Sequence, residues 1–254
     1  MPASSNFQEA IREAQSSALV GPNVVNKALP YVGGGMVLTA GGVFGGLSLM
    51  TTNPGLYQPL WFVSLIATLI LFFVARNVAM QGNNSTALPI LTTFSLVEGF
   101  FLSNLVGYAI ISVGAANPAN PYAGVGAVGT AALATGITFV IASIAGRRMS
   151  DSIGQALGAV VGLGLVGLII AMVVQLVGAI FVPGFGGGGF ELMIAGFGTV
   201  LFVGAAFLDF YTMPRTYRDD QYLPAALGMY LTYINLFIFI LRLIIAIQGG
   251  GRRN

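Results

Sequence analysis

The sequence predicts an all-α membrane protein, a polytopic bundle of seven transmembrane helices. Of its 254 residues, 7% are charged and 56% are hydrophobic, whereas about a quarter of the residues in a soluble domain carry a charge. Seven apolar stretches have about the length that crosses the hydrocarbon core of a bilayer as a helix. They are apolar on every face and do not alternate with period two, which favours helices over the strands of a membrane barrel.

The predicted spans are separated by segments rich in Asn, Pro and Gly, which are typical of turns. In chain order, the seven predicted spans cover residues 31–51, 60–75, 90–113, 125–146, 156–182, 192–212 and 225–247. The chain then divides into a cytoplasmic N-terminal arm at 1–29, a transmembrane domain at 30–248 and a basic tail at 249–254.

The basic residues predict the orientation of the bundle, because Lys and Arg near span ends are retained in the cytoplasm. The loops after spans one, three and five contain no Lys or Arg, and the basic residues cluster before span one and after spans two, four and six. This pattern predicts a cytoplasmic N-terminus. Seven full crossings would leave Arg252 and Arg253 outside, which the same rule disfavours, so a re-entrant or tilted seventh segment is an alternative. We favour seven spans and leave the side of the tail open.

The composition excludes several classes of site. The chain has no cysteine and no histidine, so it has no disulfide, no thiolate metal site and no histidine base. We therefore expect no cofactor and no metal site. The net charge of +2 is explained by the residues that set the topology and does not indicate a nucleic-acid partner.

Three charged residues lie within the predicted spans, namely Glu98, Asp209 and Arg242. Each costs roughly 2.5 kcal/mol or more at membrane depth, so such residues usually face the bundle interior or a water-filled cavity. In span seven, Thr232, Asn235 and Arg242 share one narrow helical arc and form a polar stripe. Near the cytoplasmic end of span six, Arg76 and Arg215 match the height of Asp209 and are its candidate ion-pair partners.

Two interpretations of these polar residues remain open on the sequence alone. In one, the bundle is closed and the charged residues pair for structural reasons. In the other, a polar path runs through Glu98, Asp209, Thr232 and Asn235, with Asp209 and a basic partner as a cytoplasmic gate. We expect no enzymatic activity, because a single aspartate at depth and the absence of histidine do not provide a catalytic constellation.

Several motifs in the last two thirds of the chain carry a family resemblance. They are Tyr-Leu-Thr-Tyr-Ile-Asn-Leu-Phe at 230–237 before Leu-Arg at 241–242, Ala-Phe-Leu-Asp at 206–209 with Arg215 after it, Gly-Arg-Arg-Met-Ser at 146–150, and Leu-Val-Glu-Gly at 96–99 with Ser103 after it. Together they resemble the Bax inhibitor-1 family of seven-span membrane proteins, which includes the bacterial YccA-type proteins. The match covers about residues 88–242, and the first two spans agree only in hydropathy and in the basic end at Arg76.

The resemblance implies six helices around a central seventh, and it implies two functions. Several family members behave as pH-sensitive calcium leak channels, whose sensor is a pair of aspartates in the last two spans. This chain keeps Asp209 but has Thr232 at the second position. YccA-type members similarly lack that aspartate and are associated with the FtsH-type AAA protease, whose activity they restrain.

We therefore expect a non-enzymatic, multi-pass protein of the bacterial cytoplasmic (inner) membrane. The favoured hypothesis is a membrane partner or regulator of a larger assembly in the lipid bilayer, for example an FtsH-type protease complex. The alternative is a cation leak channel or transporter that conducts calcium ions along the polar path.

Overall fold

The computed structural model describes residues 19–81, 83–182, 185 and 188–249. Seven helices in these residues are long and apolar enough to cross a membrane, which confirms the predicted all-α class. They are α1 (Val24–Thr52), α2 (Pro54–Gln81), α3 (Asn84–Ala116), α4 (Ala123–Ala145), α5 (Asp151–Phe181), α6 (Gly189–Thr216) and α7 (Tyr222–Ile244). A 3₁₀ turn at Gly146–Arg148 joins α4 to α5, and a π-helical turn at Ile245–Gly249 extends α7.

Most of the helices begin or end several residues beyond the predicted spans, because the polar residues at the membrane boundary continue the helical hydrogen bonds. Helix α1, for example, begins at Val24 and so includes part of the arm predicted at 1–29. Residues 1–18 of that arm and residues 250–254 of the basic tail lie outside the described residues.

Helix α7 is the central element of the bundle. It contacts α1, α2, α3, α4 and α6, and its side chains Leu227, Tyr230, Leu236 and Leu241 are fully buried. Helix α5 is at the periphery, where it packs mainly on α6. It is the most apolar of the seven spans and buries the smallest share of its residues.

Glycines allow α1 and α3 to approach closely. A Cβ atom on Gly42 would overlap the α3 backbone at Leu96, and one on Gly99 would overlap the α1 backbone at Thr39. Gly41 and Gly45, on the outer side of α1, have no neighbouring atoms within 4 Å. Gly42 therefore serves helix packing within the bundle, as small residues do in membranes, whereas Gly41 and Gly45 face outward.

One end of the bundle carries six of the seven Lys and Arg residues that the structure describes, and hydrogen bonds link its loops. Asp219, between α6 and α7, accepts a 2.8 Å hydrogen bond from the backbone N–H of Asn23 at the start of α1. Arg147, after α4, donates a 2.7 Å hydrogen bond to Asn26. We call this end the basic face; its members are Lys27, Arg76, Arg147, Arg148, Arg215 and Arg218.

Helix α7 runs from the basic face to the opposite face. It begins after the Asp219 loop, and its last turn brings Gly249 against Ser112, near the far end of α3. The seventh segment therefore traverses the whole bundle. This contradicts the re-entrant alternative, which arose from the basic tail at Arg252 and Arg253.

A candidate polar seam between the last two helices

Helices α6 and α7 are antiparallel and share a contact surface that carries polar residues at both ends. Along α7, one face carries Thr232, Asn235, Phe239 and Arg242. Consecutive members are three or four residues apart, which is about one helical turn. On α6 the corresponding surface runs from Asp209 to the opposite end of the helix. We call this surface the seam; it comprises Asp209, Phe202, Gly198 and Glu191 of α6 with Thr232, Asn235, Phe239 and Arg242 of α7.

Near the basic face, Asp209 and Thr232 form the polar end of the seam. The Thr232 hydroxyl lies beside the Asp209 carboxylate, and Tyr217 lies close to the same carboxylate. The Oδ2 atom of Asp209 is buried and has no hydrogen-bond partner. Asp209 is seven residues before the end of α6 at Thr216, which places it about 10 Å inside the helix end.

The predicted ion pair of Asp209 with Arg76 or Arg215 does not form among the described residues. Arg215 pairs with Asp151 of α5 at 3.2 Å and donates a 2.8 Å hydrogen bond to the Tyr211 carbonyl, while Arg76 is exposed on α2. Positions 209 and 215 differ by about 240° around α6, so Asp209 faces α7 and Arg215 faces α5. The prediction considered the depth of the residues in the membrane and did not consider the direction in which each side chain points from α6.

Two aromatic rings close the middle of the seam. Phe202 and Phe239 are stacked, with ring centroids 5.4 Å apart and an interplanar angle of 19°. Phe239 is 3% exposed and fills the space above Gly198, where a Cβ atom would overlap its ring. Asn235 donates a 2.7 Å hydrogen bond to the Leu231 carbonyl of its own helix. The polar ends of the seam are therefore separated by an apolar plug.

At the opposite face, Arg242 and Glu191 close the seam with an ion pair. Arg242 donates two hydrogen bonds of 2.8 Å to the Glu191 carboxylate, one from Nε and one from a terminal nitrogen. Gln175 of α5 donates a 2.6 Å hydrogen bond to the same carboxylate, so the cluster joins three helices. The Arg242 guanidinium also lies 5.3 Å from the centroid of the Phe239 ring.

Arg242 stands out in the sequence as a charge within a span, whereas neither of its partners, Glu191 and Gln175, does. Span six was predicted to begin at Leu192, so Glu191 was assigned to a loop. Gln175 carries no charge and therefore did not stand out within span five. A search for acidic residues one turn beyond each predicted span would have found Glu191.

Glu98 occupies a second polar cluster, on the other side of α7. Its side chain is buried, and neither its Oε2 nor the neighbouring Thr68 Oγ1 of α2 has a hydrogen-bond partner. The cluster extends to Tyr230 of α7, whose hydroxyl lies 2.7 Å from Thr39 Oγ1. Tyr230 and Thr232 point about 200° apart around α7. The structure therefore separates Glu98 from Asp209, Thr232 and Asn235.

The loop between α6 and α7 is fixed to the basic face by its two aspartates. Two hydrogen bonds from Asn23, of 2.8 Å and 3.1 Å, lower the pKa of Asp219 because they stabilise its ionised form. The guanidinium of Arg218, 3.1 Å from Asp220, lowers the pKa of that carboxyl. Both carboxylates are thus engaged on the protein itself.

The described residues contain no group of three or more Asp, Glu, His or Cys side chains that could hold a metal ion. The seam offers one carboxylate near each end, and hydroxyl and amide oxygens near the basic face. Such a set can bind a passing cation but does not form a closed coordination site.

Comparison with known proteins identifies the family. Residues 21–250 match the family model described as inhibitor of apoptosis-promoting Bax1. The chain is 29% identical over 201 residues to the protein YrjE of Lactococcus lactis, which covers 76% of this chain and 74% of that protein. It is 28% identical over 208 residues, 78% of this chain and 77% of the relative, to a membrane protein of Streptococcus pyogenes serotype M1.

A shorter match concerns a eukaryotic relative. Over 60 residues, the chain is 35% identical to Bax inhibitor 1 of Schizosaccharomyces pombe, which covers 24% of this chain and 23% of that protein. The family model spans nearly the whole chain, including the two spans in which the motifs were weakest. This protein belongs to the Bax inhibitor-1 family of integral membrane proteins.

Proposed function

We propose that this Bax inhibitor-type membrane protein is a cation leak channel whose path follows the seam between α6 and α7, in a closed state. The observation that carries the proposal is the arrangement of the seam. An unpaired carboxylate and a hydroxyl lie at the basic end, an ion pair lies at the opposite end, and two stacked rings lie between them. The Glu191–Arg242 pair also stabilises the bundle, so the buried Asp209 oxygen without a hydrogen-bond partner is the feature that helix packing alone does not explain.

The chemistry of the basic end fits a hard cation such as calcium. Carboxylate, hydroxyl and amide oxygens are the ligands that calcium prefers, and Asp209, Thr232 and Asn235 provide one of each. Because only one of the three is anionic, the attraction for a divalent ion is weak. We expect a slow leak with low selectivity, and the proposal involves no covalent chemistry.

The orientation follows from the basic face. Lys and Arg residues near span ends are retained in the cytoplasm during membrane insertion, and the basic face has six of them. We therefore assign this face to the cytoplasm and the Glu191–Arg242 pair to the outer side of the bacterial cytoplasmic membrane. Cations would then enter the seam from outside at the ion pair and leave beside Asp209.

Calcium flux into proteoliposomes loaded with a calcium-sensitive dye tests the proposal. Asp209→Asn and Glu98→Gln each remove one carboxylate charge at nearly constant size, on opposite sides of α7. The seam predicts lower flux in Asp209→Asn and unchanged flux in Glu98→Gln. A loss of flux in Glu98→Gln alone would move the path to the other polar cluster, and wild-type flux equal to that of empty liposomes would contradict the leak.

A second function, as regulator of a larger membrane assembly such as an FtsH-type protease complex, is supported by α5. This peripheral helix leaves most of its apolar surface unburied. It is linked to the seam helices through Asp151–Arg215 at one end and Gln175–Glu191 at the other. A partner helix that packs on α5 could therefore act on both ends of the seam.

Photo-crosslinking in cells, followed by mass spectrometry of the purified protein, distinguishes this second function. A crosslinker at Leu163 on the outer side of α5, which is 77% exposed, should capture one defined membrane protein. The same crosslinker at Phe73 on α2, which is 68% exposed, is the matched control. Lipid adducts at both positions would contradict the regulator.

A further inference from the structure

A groove lies on the outer surface of the bundle between α1 and α3, just inside the basic face. Its volume is about 410 Å³, within the range of small-molecule sites, roughly 300 to 1,000 Å³. Gly34, Val37 and Leu38 of α1 form one wall, and Leu88 and Leu91 of α3 form the other. The lining is therefore mainly apolar.

Gly34 leaves one part of the groove wall without a side chain. No atom lies within 4 Å of the place where a Cβ atom on Gly34 would be, so this part of the wall is open space. Val37 beside it is 73% exposed. The hydroxyl of Thr92, at the edge of the groove, donates a hydrogen bond to the Leu88 carbonyl of its own helix. An occupant would therefore meet hydrocarbon surface almost throughout.

A positive charge lies directly above the groove on the same face of α1. Lys27 precedes Tyr31, Gly34 and Leu38 by four, seven and eleven residues, the spacing of side chains stacked along one helical face. Its Nζ donates a 3.2 Å hydrogen bond to the Asp219 carbonyl oxygen. An ammonium group has three N–H donors, so two remain for a ligand.

The acidic residues near Lys27 form their closest contacts with other groups. Asp219 accepts two hydrogen bonds from Asn23, and Asp220 is in an ion pair with Arg218. No ion pair joins Lys27 to a carboxylate within the part of the chain that the structure describes. Asp219 and Asp220 attract the charge of Lys27 without forming an ion pair with it, so Lys27 keeps free N–H donors at the mouth of the apolar groove.

We propose that this groove binds one acyl chain of a membrane phospholipid, whose phosphate group is bound by Lys27. A charge at the membrane boundary followed by an apolar channel towards the bilayer centre matches the two parts of such a molecule. The tyrosine at position 31 lies between them, at the level where aromatic residues anchor membrane proteins.

The dimensions argue against a partner helix in the same place. The groove extends from Pro30 to Leu38, about 12 Å along α1. A transmembrane helix is about 10 Å wide and needs a contact surface along much of a hydrocarbon core about 30 Å thick. An acyl chain, which is thin and flexible, fits a groove of this length and volume.

Native mass spectrometry of the protein purified in mild detergent tests the proposal. We expect one retained phospholipid per chain in the wild type. Gly34→Leu fills the groove and should abolish retention, whereas Gly41→Leu adds the same side chain to an equally open position of α1 outside the groove and should not. Lys27→Gln should weaken retention about fivefold, since a basic residue near the membrane surface contributes about 1 kcal/mol.

Three further measurements decide between the occupants. Arg148→Gln, which removes an exposed charge elsewhere on the basic face, should leave retention unchanged. Retention of diacylglycerol as strong as that of phosphatidylglycerol or phosphatidylethanolamine would refute the role of the phosphate. A photo-crosslinker at Val37 should capture lipid, and capture of a protein there would overturn the proposal, as would equal retention in Gly34→Leu and Gly41→Leu.

Discussion

Replacement of Glu191 by glutamine should destabilise the bundle at the end opposite the basic face. The carboxylate accepts two hydrogen bonds from Arg242 and one from Gln175. The substituted glutamine would keep the shape of the side chain and remove its charge. Arg242 would then hold an uncompensated positive charge in a site where its side chain is only 17% exposed. The loss of that compensation is the source of the predicted effect.

The magnitude lies between two limits. Breaking a fully buried ion pair costs about 3 to 5 kcal/mol, while a solvent-exposed pair contributes about 0 to 1 kcal/mol. The side chains of Arg242 and Glu191 are 17% and 26% exposed, nearer the buried limit but still in reach of water and lipid headgroups. We therefore expect Glu191→Gln to lower the free energy of unfolding by about 2 kcal/mol.

Equilibrium unfolding in mixed micelles measures this change as a shift in midpoint at constant slope. Asp220→Asn breaks the Arg218–Asp220 pair, whose side chains are 66% and 69% exposed, and should leave the midpoint unchanged. Adding Arg242→Gln to Glu191→Gln should restore part of the loss, because the unpaired charge is removed. Equal midpoints for Glu191→Gln and the wild type, or no recovery in the double variant, would refute the reasoning.

The remaining predictions concern packing, pH and topology. Gly42→Leu should prevent close packing of α1 on α3 and lower the thermal unfolding temperature strongly, whereas its neighbour Gly41→Leu should not; equal effects would contradict the packing described above. Thr232→Asp should make calcium flux depend on pH between about pH 6 and pH 8, because two adjacent carboxylates share a proton, and an equally strong dependence in the wild type would show that the sensor lies elsewhere. A cysteine at Tyr122 should react with an impermeant reagent outside the cell and one at Asn83 should not; the reverse would invert the assigned orientation.

The number and order of the helices could be predicted because the positions of the long apolar runs along the chain determine them. A stretch such as α5 has no alternative in lipid, where every backbone group must find its partner within the helix. The helix ends were less predictable, since residues 24–30 and 189–191 are helical although they lie outside the apolar runs. That uncertainty of a few residues was enough to hide Glu191.

The candidate site was only partly predictable, because it depends on the rotation of each helix about its axis. The stripe of Thr232, Asn235 and Arg242 could be predicted because its members belong to one helix, and these residues lie on the seam in the structure. The absence of an ion pair between Asp209 and Arg215 could not be predicted, because it depends on α7 lying beside Asp209 and α5 lying beside Arg215. The separation of Glu98 from Asp209 likewise follows from which side of α7 each neighbouring helix occupies.

Calcium flux through the Phe239→Ala variant in dye-loaded proteoliposomes tests the central claim most directly. Phe239 is stacked on Phe202 and separates the two polar ends of the seam, so its removal should connect them and raise flux several-fold over the wild type. Phe73→Ala makes the same change on the outer side of α2 and should leave flux unchanged, and Asp209→Asn combined with Phe239→Ala should reverse the rise. If Phe239→Ala conducts no more than the wild type, or if Phe73→Ala conducts as much as Phe239→Ala, the seam is not the path.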